Sequence, residues 1–217
     1  MSRALSAHEQ KRLRAMCELE SALWGNGYTH IAGLDEAGRG ALAGPVIAAA
    51  VILPDKMLIR GVNDSKQLKP AERERLFSVI TCAATGVGVG RSAPEVIDGI
   101  NIRKANLLAM QEAVDTLPCV PEHLLIDGID TIDWPGEQTT VVGGDAKSLS
   151  IAAASVIAKV TRDRIMVAYD EVYPEYGFAK HKGYGTAAHI DALKTFGMCP
   201  IHRRSFRWQR PADEARS

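Results

Sequence analysis

The chain has 217 residues, of which 46% are hydrophobic and 24% charged, and its acidic and basic side chains balance to a formal net charge of zero. That length suits one domain able to bury a sizeable core, and the composition is that of an ordinary globular protein. No segment reaches the roughly 18 uninterrupted apolar residues of a membrane span, so we expect no membrane partner.

The first half of the chain predicts a helix, two buried strands and a second helix. Residues 7–24 have the periodicity of an amphipathic helix. The stretches "THIAGLD" and "AGPVIAAAVILP" predict buried strands joined by a glycine-rich turn. A further helix is predicted in "KPAERERLFSVITCAA", with Pro70 near its first turn.

The second half alternates strands and helices. After the short extended stretch "TGVGVGRSA", Ser92 with Glu95 three residues on predicts a capping box at a helix start. The last helix is expected to be capped by Thr186 and ended by Gly197. The elements between are a helix in "IRKANLLAMQEAVDTL", strands in "EHLLIDG" and "QTTVVGGD", and a long helix in "SIAAASVIAKVTRDRIMVAYDEVY". Together they predict an α/β fold, a mixed sheet covered by helices.

The spacing of the cysteines and the polarity of the N-terminal residues indicate the cellular compartment of the protein. The four cysteines are far apart and form no Cys-x-x-Cys pair. The first 20 residues are polar and lack the apolar stretch of a secretory signal. We therefore expect a cytoplasmic chain with reduced thiols and without a zinc site.

Positive charge is concentrated near the C-terminus. Between Phe178 and Arg210 there are seven basic residues and one acid, Asp191. The basic residues are Lys180, Lys182, Lys194, Arg203, Arg204, Arg207 and Arg210, and His181, His189 and His202 lie among them. Such segregation is typical of a protein that binds a polyanion. A solvated basic tail is an equally good interpretation of charge alone.

Acidic side chains end three of the predicted strands. The pair Asp35-Glu36, Asp127 and Asp145 each follow an apolar run. If the strands are neighbours, four carboxylates converge, and their repulsion is relieved by a divalent cation. Oxygen ligands alone select Mg²⁺ or Mn²⁺, and two such ions can activate a water to hydrolyse a phosphodiester. An Asp before or after glycine, as at Asp127 and Asp145, is alternatively a turn residue.

A glycine-arginine-glycine turn, Gly38-Arg39-Gly40, follows the acid pair. Successive backbone amides in such a turn can bind a phosphate or a sugar hydroxyl, and Arg39 could grip a phosphate. A tight β-turn with an arginine in solvent is the alternative interpretation. The turn gains weight from its position beside the acids, since a metal-bound phosphodiester needs donors on its other oxygens.

The sequence resembles the ribonuclease HII family, the bacterial type 2 ribonucleases H. The resemblance rests on blocks that occur in the family's order between about residues 29 and 206. They are "GLDEAGRGALAGPVIAAAVIL", "NDSKQL", "LLIDG", "GGDAKSLSIAAASVIAKVTRD", "YPEYGFAKHKGYGT" and "PIHRRSF". The sister type, ribonuclease HIII, has lysine between the glycines, and Arg39 argues against it.

The resemblance implies a ribonuclease H-like fold and endonucleolytic cleavage of RNA in RNA–DNA hybrids. It also implies incision on the 5′ side of ribonucleotides embedded in duplex DNA, leaving a 3′-hydroxyl and a 5′-phosphate. The metal-binding acids it implies are Asp35, Glu36, Asp127 and Asp145, with two Mn²⁺ or Mg²⁺ ions when substrate is bound. The substrate-binding residues it implies are Gly38, Arg39 and Gly40 at the 2′-hydroxyl, Ser65 and Lys66 at phosphates, and Tyr184 beside the junction sugar.

The resemblance also implies a division of the chain. We expect a helical extension over residues 1–28, a ribonuclease H-like catalytic domain over 29–177, and a basic helical segment packed on it over 178–217. We further expect a monomer with no obligate protein partner.

Simpler interpretations remain for individual residues. Tyr184 could be a loop aromatic packed on its own helix, and Ser65-Lys66 a capped, solvated turn. We interpret Lys159, Arg162 and Asp163 as a salt-bridged helix face and leave them out of the site. For the whole chain, the alternatives are a DNA nuclease or recombinase of the same fold and a non-catalytic nucleic-acid-binding protein. The glycine turn argues against the first, and the four acids argue against the second.

Overall fold

The computed structural model describes residues 5–208, which form one five-stranded mixed sheet covered by helices. Strand order is β3-β2-β1-β4-β5; β1 pairs antiparallel with β2 and parallel with β4, β2–β3 is antiparallel and β4–β5 is parallel. The strands are β1 Ile31–Ala37, β2 Val46–Ile52, β3 Gly86–Ser92, β4 His123–Asp127 and β5 Glu137–Val141. The predicted fold class is confirmed.

Eight α-helices accompany the sheet in the described residues. They are α1 Ala7–Met16, α2 Glu18–Gly25, α3 Pro70–Ala83, α4 Pro94–Ile100, α5 Ile102–Asp115, α6 Leu149–Val172, α7 Phe178–His181 and α8 Ala187–Phe196. None of the helices between residues 5 and 208 is long and apolar enough to cross a membrane.

Helices α5 and α6 pack very closely on opposite faces of the sheet. A Cβ atom at Gly33 of β1 would overlap with the backbone of α6 at Ser150, and one at Gly88 of β3 would overlap with a carbonyl of α5. The early turns of α6 are rich in fully buried alanine, which permits the same approach. This close contact fixes α6 relative to the ends of β1 and β4.

The N-terminal helices are part of the packed structure. The predicted helix over residues 7–24 is interrupted at Cys17 and forms α1 and α2. Glu20 of α2 is buried, and its carboxylate accepts hydrogen bonds from Ser148 Oγ, Ser150 N and Ser150 Oγ at 2.6–2.9 Å. A carboxylate at the first turn of α6 complements the helix dipole and binds free N–H groups.

Two predicted helix caps have different outcomes. Thr186 caps α8 by accepting a hydrogen bond from His189 N, and Gly197 ends that helix, as predicted. The prediction of a capping box is wrong. Ser92 belongs to β3, and its hydroxyl donates a hydrogen bond to Ala105 O. Helix α4 begins at Pro94 without a side-chain cap. Proline is nevertheless well suited to the first helical position, because its fixed φ fits the helix and the N–H it lacks would have no partner within the helix.

Candidate active site

The strand ends bring the predicted acids to one edge of the sheet. Strands β1 and β4 are parallel, and Leu34 is in register with Ile126. Asp35 and Asp127 therefore follow on adjacent strands at the same edge. Asp145 lies in a short 3-10 helix, Gly144–Ala146, between β5 and α6. We call Asp35, Glu36, Asp127 and Asp145 the carboxylate edge.

Asp35 is the most buried acid of the carboxylate edge, with 4% of its surface exposed. Burial, followed by the charges of Glu36 and Asp127, raises its pKa well above the ordinary value, although a hydrogen bond with Ser155 acts in the opposite direction. Ser155 Oγ is in turn 2.8 Å from Ser65 Oγ. Ser65, expected at a phosphate, is thus buried behind Asp35 and joined to it through Ser155.

Glu36 points to the other face of β1, because side chains alternate along a strand. Burial raises its pKa, and Arg39 and a hydrogen bond with Asn106 of α5 oppose that rise. The nearest Arg39 nitrogen is 3.6 Å from Glu36 Oε1, and half of the Arg39 side chain is exposed. Arg39 therefore has only a long contact with Glu36, and its exposed guanidinium is accessible to an anion.

Asp127 and Asp145 are joined by the segment that follows β5. Asp127 Oδ1 accepts a hydrogen bond from Gly144 N at 2.7 Å. Burial raises the pKa of Asp145, and the charge of Asp64 adds to that rise, while Lys66 opposes it. Lys66 is exposed, and its Nζ lies 3.7 Å from Asp145 Oδ2. Asp64 is a fifth carboxylate that the sequence interpretation missed, although it stands beside Ser65 in "NDSKQL".

The carboxylate edge suits divalent cations by charge and by chemistry. Its donors are oxygen atoms, the ligands that Mg²⁺ and Mn²⁺ prefer. Three of its acids have raised pKa values, so a cation among them would relieve an electrostatic penalty. As the side chains of residues 5–208 stand, no three His, Cys, Asp or Glu residues are grouped so that they could hold an ion.

The glycine turn has one crowded and one open side. Gly38 has φ +91°, and a Cβ there would overlap with the Arg162 guanidinium. Gly40 has nothing within 4 Å of the position of its missing Cβ. Ala41 N donates to Gly38 O at 3.2 Å and closes the turn. Only glycine satisfies the first position, and the second leaves room for a ligand to approach the backbone. Residues 38–45 are called the turn segment below.

Two arginines hold the turn segment from inside the protein, and neither was predicted to do so. Arg162 and Arg203 are both fully buried. The interpretation of Arg162 as part of a salt-bridged helix face is wrong, although Lys159 and Asp163 do pair at 2.7 Å. The assignment of Arg203 to an exposed basic surface is also wrong. The i+4 spacing of Ala158, Arg162 and Met166 on the buried side of α6 was the available signal.

The remaining cations of the basic stretch are not uniform either. Lys182 is half-buried, and burial lowers its pKa. Lys180, Lys194, Arg204 and Arg207 are exposed, whereas Arg210 lies outside the described residues. The exposed basic surface of this stretch, in the described residues, is therefore smaller than the sequence indicates.

Tyr184 lies on a loop packed against the turn segment. The residue is 37% exposed, and the Arg162 guanidinium carbon is 5.3 Å from the centre of its ring. Gly183 O accepts a hydrogen bond from Leu42 N at 2.8 Å. We call residues 181–186 the tyrosine loop. It borders a pocket of about 510 Å³ whose basic lining residues are Arg73, Lys159, Arg164, Lys180 and Lys182.

A chain of buried histidines supports the tyrosine loop from behind. His189 Nδ1 is 3.0 Å from Tyr184 O and must donate to it, so His189 Nε2 accepts from His202 Nε2 at 3.0 Å. His202 Nδ1 then accepts from Cys199 N at 2.9 Å. Burial lowers the pKa of His189 to about 4 and also lowers that of His202. Both rings are neutral near pH 7 and do not add to the basic charge.

Comparisons with known proteins agree with this geometry. The family model described as "Ribonuclease HII" matches residues 32–209. A ribonuclease HII of Acetivibrio thermocellus is 56% identical over 198 residues, covering 91% of this chain and 77% of that protein. One from Geobacter sulfurreducens is 54% identical over 207 residues, covering 95% and 94%. The crystal structure of ribonuclease H2 from Pyrococcus horikoshii has a TM-score of 0.71 at 29% identity, covering 85% of this chain and 97% of that one.

The likeness therefore extends over sequence and fold and over most of each chain compared. Members of the matched family depend on divalent metal ions and hydrolyse RNA in RNA–DNA hybrids. The chain belongs to the ribonuclease HII family, and it is a type 2 ribonuclease H.

Proposed function

We propose that this ribonuclease H also incises duplex DNA on the 5′ side of an embedded ribonucleotide, leaving a 3′-hydroxyl and a 5′-phosphate. The observation that carries the proposal is the contact between the turn segment and the tyrosine loop, through Leu42 N and Gly183 O. Gly40, where the approach to the backbone is open, and the exposed Tyr184 thus belong to two segments that are hydrogen-bonded to each other. Adjacent sugars of one strand can meet these two surfaces.

In this proposal the carboxylate edge performs the cleavage. Asp35, Glu36, Asp127 and Asp145 would hold two Mg²⁺ or Mn²⁺ ions when substrate is bound. Such ions activate a water and stabilise the leaving oxygen of the phosphodiester. Ser155 orients Asp35, and Gly144 N orients Asp127, so each carboxylate presents its remaining oxygen lone pairs to the site. Lys66 and Arg39 are exposed cations positioned to contact phosphates, and Ser65 supports Asp35 from behind.

Recognition of the ribonucleotide is assigned to the turn segment. The 2′-hydroxyl is the group by which a protein distinguishes RNA from DNA. The backbone of Gly38, Arg39 and Gly40 would bind that hydroxyl, because the open space at Gly40 lets a sugar approach the main chain. Tyr184 would pack on the deoxyribose that follows, where a 2′-hydroxyl would crowd the ring. The lost hydrogen bond accounts for about 1–3 kcal/mol, so rejection of all-DNA substrate also requires misalignment at the metals.

The division of the chain follows from the same proposal. Residues 29–177 would carry the catalytic acids, residues 1–28 would brace α6, and residues 178–217 would carry the tyrosine loop and the exposed cations. The enzyme would act as a monomer without an obligate protein partner, because every proposed catalytic and substrate-binding residue comes from one copy of the chain. It would act in the cytoplasm.

Mapping the product ends on a DNA duplex containing one ribonucleotide tests the proposal. We expect a single cut on the 5′ side of the ribonucleotide, a 3′-hydroxyl on the upstream fragment, and no cut when EDTA is present. A matched all-DNA duplex is the control. A cut on the 3′ side, or cleavage of a continuous RNA–DNA hybrid without any incision of this duplex, would contradict it.

A further inference from the structure

We propose that Arg162 is a positioning residue that sets Tyr184 against the turn segment, and that Arg203 is a positioning residue for the turn segment alone. The two guanidinium groups would thereby combine recognition of the ribose and of the following deoxyribose in one rigid unit. This inference rests on the proposed roles of the turn segment and Tyr184, and it adds two residues that do not touch the substrate.

The two arginines are alike in environment. Both are 0% exposed, and each donates three hydrogen bonds of 2.7–3.0 Å to main-chain carbonyl oxygens. Neither forms an ion pair within 4.0 Å with a carboxylate of residues 5–208. Burying an unpaired cation is costly, so a guanidinium kept in such a place must satisfy a specific structural need.

Arg203 binds three oxygens of one segment. Its Nη2 donates to Gly38 O at 2.7 Å, its Nη1 to Arg39 O at 2.9 Å, and its Nε to Gly44 O at 3.0 Å. In a trans peptide the N–H of the next residue points opposite to the carbonyl. Holding the Gly38 and Arg39 carbonyls inward therefore turns the N–H groups of Arg39 and Gly40 away from Arg203. Those are donors that a 2′-hydroxyl could meet.

Arg162 instead joins two segments. Its Nε donates to Pro45 O at 2.9 Å and its Nη2 to Ala43 O at 3.0 Å, both on the turn segment. Its Nη1 donates to Lys182 O at 2.9 Å on the tyrosine loop, two residues before Tyr184. The same guanidinium lies under the Tyr184 ring. Within residues 5–208, loss of this fork would leave the loop and the turn hydrogen-bonded only through Gly183 O, which accepts from Leu42 N and Ala43 N, while the bonds of Arg203 stay in place.

Lysine is the informative substitution at both positions. It keeps a positive charge and most of the aliphatic stem, but its single nitrogen cannot reproduce a planar fork that reaches three fixed acceptors. Arg203→Lys is thus the matched control for Arg162→Lys, with the same burial, the same number of lost bonds and a different set of joined segments.

The experiment measures kcat/KM of both variants on two substrates, a DNA duplex with one ribonucleotide and a continuous RNA–DNA hybrid. Arg162→Lys is expected to lose roughly tenfold more on the first substrate than on the second, because only the first presents a deoxyribose to Tyr184. Arg203→Lys is expected to lose activity equally on both, because both present a 2′-hydroxyl. Leu76→Ala, on the buried side of α3 and in a hydrophobic cluster that does not contain Leu42 or Ala43, serves as a variant destabilised without loss of a hydrogen bond to either loop.

An equal loss of Arg162→Lys on both substrates, or a substrate preference shared by Leu76→Ala, would overturn the inference. Tyr184→Ala distinguishes this failure from failure of the proposed function. If Tyr184→Ala is selective and Arg162→Lys is not, only the role of Arg162 is wrong. If Tyr184→Ala has no selectivity, the proposed role of Tyr184 and this inference both fail, whereas only a lack of 5′ incision by the unmodified enzyme would defeat the proposed function itself.

Hydrogen exchange of the unmodified protein decides the matter if Arg162→Lys does not fold. A joined unit opens as one, so the hydrogen-bonded amides of residues 41–44 and of residues 183, 184 and 186 should show the same opening free energy and the same dependence on denaturant. Exchange of the tyrosine loop at a distinctly lower opening free energy than the turn segment would overturn the inference.

Discussion

The carboxylate edge differs from the two loops beside it, the turn segment and the tyrosine loop, in how its polar groups are stabilised. At the edge, burial together with the charges of neighbouring carboxylates raises the pKa values of Asp35, Glu36 and Asp145, which favours the arrival of cations. In the turn segment and the tyrosine loop, main-chain oxygens are bound by the buried side chains of Arg162, Arg203 and His189. The edge keeps an electrostatic penalty that a cation would relieve, whereas the carbonyl oxygens of the loops are already bound by buried side chains. Reactivity and selectivity are thereby placed in separate parts of one site.

The largest expected effect is a loss of turnover caused by a substitution in the carboxylate edge that leaves both loops unchanged. Asp35→Asn removes one proposed metal ligand, so turnover on an RNA–DNA hybrid should fall by roughly 10³-fold at saturating Mg²⁺ or Mn²⁺. Thermal unfolding without metal should be no easier than in the unmodified protein, because one of several repelling charges is gone. Asp145→Asn should likewise be at least as thermostable. Asp133→Asn, an exposed change, is the control. Near-normal turnover of Asp35→Asn would exclude its assignment as a ligand.

The second-largest effect is a loss of folding stability at acidic pH, which arises from His189 behind the tyrosine loop. The pKa of His189 is about 4 when folded and ordinarily about 6.5 when unfolded. Between these values only the unfolded chain takes up the proton, so this stabilisation is complete above pH 6.5 and is lost as pH falls towards 4, by roughly 3 kcal/mol. Urea unfolding at several pH values should show that His189→Asn removes this part of the pH dependence. His8→Gln, at an exposed site, should retain it. Identical profiles for both variants would contradict the prediction.

The two glycines of the turn separate folding from recognition. Gly38→Ala should lower the free energy of unfolding by at least about 2 kcal/mol, because Gly38 has positive φ and faces Arg162. Gly40→Ala should change it by less than about 0.5 kcal/mol and yet slow cleavage, since the added methyl lies where a sugar would approach. The checks are denaturant titration and cleavage of an RNA–DNA hybrid. Equal destabilisation by both substitutions would refute the division into crowded and open sides.

The smallest effect concerns the exposed cations beside Tyr184. In an Asp35→Asn background, affinity for a DNA duplex with one ribonucleotide should fall with salt. Lys180→Gln should reduce the magnitude of the log–log slope by about 0.9, the value for one phosphate contact. Lys11→Gln, exposed on α1 and not among the residues that line the pocket beside Tyr184, should leave the slope unchanged. A slope that does not respond to Lys180→Gln would remove that residue from the binding surface.

The same contrast governs what the sequence could predict. The four acids were predictable because each ends a strand or follows one, and neighbouring strand ends meet at one edge. Arg162 and Arg203 were misplaced because a basic side chain is exposed far more often than it is buried. Their role depends on carbonyls from distant loops, which no local pattern reveals. Tyr184 was selected by family resemblance alone, and its contact with Arg162 became visible only in the fold.

The central claim, that cleavage and selection are separable, is tested most directly with Tyr184→Ala. Initial rates are measured on a DNA duplex with one ribonucleotide and on a continuous RNA–DNA hybrid, with Tyr184→Phe as the control that keeps the ring. Tyr184→Ala should lose more activity on the first substrate than on the second, while Tyr184→Phe should resemble the unmodified enzyme on both. An equal loss of Tyr184→Ala on the two substrates would show that Tyr184 is a packing residue and that the junction is recognised elsewhere.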